Sequence, residues 1–204
     1  MKEAIQTLMT SDKMAHAFEY LKQDEAHTID QQIELVQISS FSPFEEKRAI
    51  RFKELLTEAG LDPVMDEVHN VYAHIHGTGN GPTLYVSAHL DTVFPPETPL
   101  PVKREGTKIY APGIGDDTRG LAEILTLARA IKESGLKPVG DIIIGGNVGE
   151  EGLGDLRGMR HFFSKNADKV DGFISVDGAG CLIVFGISAA FALVLLCIAA
   201  GWLL

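Results

Sequence analysis

The chain has 204 residues and carries 28 acidic against 18 basic side chains, a formal net charge of -10. Such a balance argues against nucleic acid as a partner, because a phosphate-binding face is basic. The length suits one large domain, or one domain with an appendage. Cys181 and Cys197 supply neither a disulfide framework nor a cysteine-rich zinc finger. Met1-Lys2-Glu3-Ala4 leads into no apolar secretory core, so a cytoplasmic chain is expected.

Residues 1–60 read as helices. Ala4, Ile5, Leu8 and Met9 make one apolar stripe, and Met14, Ala15, Phe18 and Leu21 make another after Ser11-Asp12. Ile29, Ile33, Val36 and Gln37 belong to a third segment. Ser42-Pro43-Phe44-Glu45 has the form of a capping box with proline at the first helical position. It would open a helix through Ala49, Ile50, Leu55 and Leu56 that stops at Gly60. His16 and His27 have no ligand partner at useful spacing and are read as surface residues.

Residues 64–76 form a predicted strand pair, in which Val71, Ala73 and Ile75 alternate with Tyr72, His74 and His76. A two-histidine metal site is conceivable there, without a carboxylate pattern to support it. Thr78-Gly79-Asn80-Gly81-Pro82 is a turn cluster. Thr83-Leu84-Tyr85-Val86-Ser87-Ala88 is short, apolar and rich in strand formers, as an inner strand buried on both faces should be. His89 ends it, at the edge where open α/β sheets place their ligands, and Asp91 is close enough to orient the imidazole.

Phe94-Pro95-Pro96-Glu97-Thr98-Pro99-Leu100-Pro101 is a proline-rich surface loop. Gly115-Asp116-Asp117-Thr118 then leads into an amphipathic helix through Leu121, Ile124, Leu125, Ala128 and Ile131, ended by Gly135. Asp117 or Thr118 can cap that helix, which leaves Asp116 free to point back at the sheet edge. Asp141 to Val148 is a strand running into Gly149-Glu150-Glu151-Gly152, and Asp171 to Asp177 is a strand that ends in an acid. His161 is read as a packing residue on a helix. Four strand or helix ends thus present His89, Asp116, Glu150-Glu151 and Asp177. A histidine among carboxylates suits zinc, manganese or cobalt, and paired glutamates can divide ligation from proton transfer.

These stretches resemble a known family. Ser87-Ala88-His89-Leu90-Asp91-Thr92-Val93-Phe94-Pro95, Gly115-Asp116-Asp117, Gly149-Glu150-Glu151-Gly152 and Val176-Asp177 are similar, in order and spacing, to the co-catalytic zinc exopeptidases and deacylases. That family includes peptidase T, carboxypeptidase G, aminoacylase, acetylornithine deacetylase and succinyl-diaminopimelate desuccinylase. The resemblance implies an α/β fold with a mostly parallel central sheet flanked by helices. It implies a metal-dependent hydrolase that cleaves an amide bond of a small peptide or N-acyl amino acid. By resemblance His89 and Asp177 would hold one zinc ion, Asp116 would bridge, and Glu151 would hold the second. Glu150 would be the general base and Asp91 would orient His89. Thr118-Arg119-Gly120 stands where the family usually has Lys-Gly.

The family's lid and dimerisation domain, and a further histidine ligand that follows it, have no counterpart here. Residues 1–180 are therefore expected to be the N-terminal part of a catalytic domain, and a catalytically silent metal-binding fragment is the alternative. Residues 181–204 carry no charge and would span about 36 Å as a helix at ~1.5 Å per residue. A membrane tail anchor, a truncated product and an apolar helix packed into the domain are the three readings of this stretch.

Overall fold

A computed structural model describes residues 2–79 and 81–178. Four helices come first: α1 (Lys2–Met9), α2 (Asp12–Gln23), α3 (Glu25–Val36) and α4 (Glu46–Glu58). Ser11 caps α2 by accepting a hydrogen bond from the Met14 amide at 3.3 Å. The face that α2 buries is Met14, Ala17 and Leu21, one step round from the predicted stripe, and Ala15 is exposed. His16 and His27 are exposed, and His27 pairs with Asp24.

The predicted capping box does not form. Ser42-Pro43 is a cis peptide, α4 begins only at Glu46, and Glu45 at its cap makes no side-chain capping bond. Ser42 and Glu45 are engaged elsewhere: both accept from the guanidinium of Arg157, at 3.0 and 2.5 Å. A strong tertiary partner outcompetes the local cap.

The strands are β1 (Val64–Met65), β2 (Val71–Ile75), β3 (Leu84–His89), β4 (Lys103–Glu105), β5 (Lys108–Tyr110), β6 (Ile142–Asn147) and β7 (Gly172–Ser175). Two further helices, α5 (Thr118–Ser134) and α6 (Arg157–Asn166), precede β6 and β7 respectively. β4 and β5 form a separate hairpin turning at Gly106, where the sequence reading placed no strand.

The main sheet runs in the order β1-β2-β6-β3-β7. It is mixed rather than mostly parallel. β3 pairs parallel with both β6 and β7, whereas β2 runs antiparallel to β1 and to β6. The reason lies in the connections. α5 and α6 are crossovers long enough to return the chain parallel, but the Asp66–Asn70 turn between β1 and β2 permits only antiparallel pairing.

β3 and β6 are buried along their whole length. Their alternate side chains serve two cores, as the period of a strand requires. Leu84, Val86, Ala88, Ile142 and Ile144 face the larger core with α4 and α5, while Tyr85 and Ile143 pack against Phe162 of α6. α5 is buried over most of its surface, held at its start by Asp117 and ended by left-handed Gly135. His161 lies on α6 beside Glu67, at 3.2 Å.

Among the described residues no helix is long and apolar enough to cross a membrane. The expected apolar helix at 181–204 lies outside the described residues.

Candidate metal centre

The register of β3, β6 and β7 brings their carboxyl ends to one edge. His89, the last residue of β3, stands opposite Asn147, the last of β6, and Ser87 stands opposite Ser175 of β7. Glu150 and Glu151 lie just beyond Asn147, and Asp177 just beyond Ser175. Asp116 arrives from the segment that opens α5. Its peptide bond to Asp117 is cis.

These residues meet around one imidazole. Nε2 of His89 lies 2.7 Å from Oδ1 of Asp116 and 3.9 Å from Oδ1 of Asp177. Each of two trios, His89-Asp116-Asp177 and His89-Glu150-Glu151, has ligand atoms within 4.8 Å of one another. Among the described residues no other trio meets that condition. His74 and His76 stack at 5.9 Å toward the opposite end of the sheet, where β6 begins, and His76 pairs with Asp141.

Behind the imidazole sit two carboxylates with no exposure at all. Asp91 faces Nδ1 of His89 at 3.6 Å, too long for a hydrogen bond but close for an ion pair. Its two oxygens accept the backbone amides of Glu150 and Glu151, at 3.0 and 2.8 Å. One side chain therefore aligns the end of β3 with the glutamate turn after β6. Asp117 accepts the backbone amide of His89 at 2.9 Å and the Gly120 amide at 3.0 Å. The capping role of Asp117 was legible in the sequence; its grip on His89 was not, because nothing local marks it.

Burial and the crowding of acids around one imidazole set the electrostatics of the cluster. Burial opposes the charged form of His89, but Asp91, Asp117 and Asp116 outweigh it and push its pKa up to about 10. Burial, and then the neighbouring acids, raise both Glu150 and Glu151. Burial raises Asp117 well above the carboxylate range. Burial also pushes Asp91 upward, yet the imidazole and the two glutamate amides hold it below its ordinary value. Four carboxylates crowding one imidazole repel one another unless a cation sits between them. The donor set, one histidine nitrogen and four carboxylates without a thiolate, fits zinc, cobalt or manganese.

Glycines make the approach of these loops possible. A Cβ on Gly178 would stand 2.0 Å from the Gly115 carbonyl, so only glycine lets the Asp177 loop close on the Asp116 loop. Gly158, at the start of α6, would meet Asn70 and the Val148 carbonyl in the same way.

The family model described as peptidase family M20/M25/M40 matches residues 85–188, half of the chain. Carboxypeptidase G2 of Pseudomonas sp. strain RS-16 is 38% identical over 84 residues, 40% of this chain and 20% of that protein. Among solved structures, aminopeptidase PepT from Bacillus cereus superposes with a TM-score of 0.65 at 24% identity, over 76% of this chain and 44% of that one. A tripeptidase from Staphylococcus aureus gives a TM-score of 0.58 at 26% identity, again over 76% and 44%. The chain thus spans a fifth of the length of that curated relative and under half of those two solved structures. The match over half its length, centred on the strands and loops that assemble the acidic site, shows that the chain belongs to the peptidase family M20/M25/M40.

Proposed function

We propose that the chain is the metal-binding part of a hydrolase that cleaves an amide bond in a small peptide or N-acyl amino acid. The observation that carries this is the convergence of Asp116, Asp177, Glu150 and Glu151 on the buried imidazole of His89. His89, Asp116 and Asp177 would hold one ion, and Asp116 and Glu151 a second. Bound there, zinc would polarise the scissile carbonyl and lower the pKa of an attacking water. Glu150 would take the proton of that water, and its carboxyl, raised above the ordinary value first by burial and then by the neighbouring acids, suits that role. Asp91 holds the imidazole and both glutamates in register.

A second reading is metal binding without turnover, because the groups that the geometry brings together are ligand donors. For residues 181–204, the family match reaches Ser188, inside the apolar run.

The test is to titrate the chain with zinc and assay the loaded protein on dipeptides and N-acyl amino acids, beside His89→Ala. Hydrolysis and tight zinc, both lost in His89→Ala, support the first reading. Tight zinc without hydrolysis selects the second, and zinc binding indifferent to His89→Ala defeats both.

A further inference from the structure

Arg48 lies on α4 with 1% of its surface exposed, and among the described residues its hydrogen bonds all go to carbonyl groups rather than to a carboxylate. Nε and Nη2 donate to the Ile38 carbonyl at 3.2 and 2.7 Å, and Nη1 donates to the Leu90 carbonyl at 2.9 Å. Burying a cation costs several kcal/mol, so a buried arginine without a direct ion pair calls for a reason. Leu90 supplies one. It is the residue between His89 and Asp91, its amide donates to the Asn147 carbonyl at 2.7 Å, and its carbonyl takes a second bond from Ser40 Oγ at 2.7 Å. The peptide groups on both sides of Leu90 are thereby pinned: the one joining it to His89 from β6, and the one joining it to Asp91 from the 38–48 segment.

We propose that Arg48 is a positioning residue for the metal centre: from behind, its guanidinium fork fixes the Leu90 peptide and hence the aim of His89 and Asp91. The inference rests on the metal reading above. The fork matters because three nitrogens spread in one rigid plane grip two carbonyls at once, a spread that the single nitrogen of an ammonium cannot reproduce. The positive charge matters too, since the buried carboxylates of Asp91 and Asp117 favour it electrostatically, against the cost of its burial. Ser40 shares the same acceptor and extends the clamp to the neighbouring loop, where its own carbonyl accepts from Thr92 at 2.9 Å.

The experiment measures zinc affinity of the full chain by competition with a chelating dye, alongside thermal unfolding in chelator. The variants are Arg48→Met, Arg48→Lys, Ser40→Ala and, as the control on the metal site, His89→Ala. Loss of an outer partner of a metal ligand costs ~10–100-fold in affinity. Arg48→Met is expected to weaken zinc at least about tenfold, Arg48→Lys to recover only part of that, and Ser40→Ala to weaken it about threefold. A purely structural arginine would lower the unfolding temperature and leave zinc affinity of the folded protein unchanged; that result overturns the proposal. Should Arg48→Met not fold, Ser40→Ala and Arg48→Lys decide, and wild-type affinity in both overturns it. If His89→Ala binds zinc as tightly as the wild type, the metal reading itself has failed and this one falls with it.

Discussion

Gly178 lies against Gly115 so closely that a methyl group on it would stand 2.0 Å from the Gly115 carbonyl. That contact sets the distance between the two carboxylates, Asp177 and Asp116, that face Nε2 of His89. Gly178→Ala should therefore spread the loops and weaken zinc by about tenfold, since a displaced ligand is no longer at bonding distance. The fold should survive, because the two loops lie at the rim of the sheet. Zinc competition beside a thermal melt checks this, and wild-type affinity in the variant would show that the loops can give way freely.

Asp91 ties three parts of the site together, and its replacement should be felt at all of them. Asp91→Asn keeps the size and one acceptor, but loses the charge that faces His89 and one of the two acceptors for the Glu150 and Glu151 amides. Zinc affinity should drop ~10–100-fold. Hydrogen exchange at the Glu150 and Glu151 amides should quicken in the same variant. If exchange there is unchanged, Asp91 does not hold the glutamate turn.

Much of this arrangement was legible before the structure. The run from Thr83 to Ala88 has the apolar, branched composition of a doubly buried strand, and β3 is buried on both faces between parallel neighbours. The spacing from Leu121 to Ile131 with Gly135 behind it delivers α5 as read. Acids placed after buried strands met at one edge because strands of one sheet end together. What was not legible depends on partners remote in sequence. Ser42 and Glu45 look like a cap until Arg157 arrives from 112 residues away or more. Arg48 looks like one more charge on an amphipathic helix until Leu90 and Ile38 close over it. The antiparallel edge of the sheet is not legible in the sequence because β2 alternates as any half-buried strand does, and alternation carries no direction.

Asp141 offers a pH-dependent test of the sheet's opposite end. Its carboxylate accepts the Gly77 amide at 2.8 Å and faces His76 at 3.1 Å, joining the exit of β2 to the entry of β6. The Gly77 amide, against a smaller effect of burial, holds its pKa below the ordinary value. A carboxyl depressed in the folded state contributes stability above its unfolded pKa near 3.9, and loses it as pH falls toward the lower folded value. Asp141→Asn should therefore be less stable than wild type at pH 7, by under about 1 kcal/mol because the site is partly exposed. The two chains should converge as pH drops below about 4. Denaturant midpoints across pH measure it, and a difference that persists into acid would assign the effect to packing instead of charge.

The paired glutamates carry the proposed chemistry, and they can be told apart. Both lie in the turn after β6, both have raised pKa values from burial and neighbouring acids, and both backbones hang on Asp91. Glu151 is proposed as a ligand, so Glu151→Gln removes an anionic donor and should cost zinc affinity directly. Glu150 is proposed as the base, which need only reach the attacking water. Glu150→Gln should keep zinc content and substrate binding while turnover falls by about 10²–10⁴-fold, the usual cost of losing a general base. The readouts separate the outcomes even where turnover is absent. Zinc stoichiometry and affinity of the two variants differ if the roles are as stated, whatever the activity of the chain. Loss of zinc in Glu150→Gln with retention in Glu151→Gln would reverse the assignment, placing the ligand at the first glutamate and the base at the second.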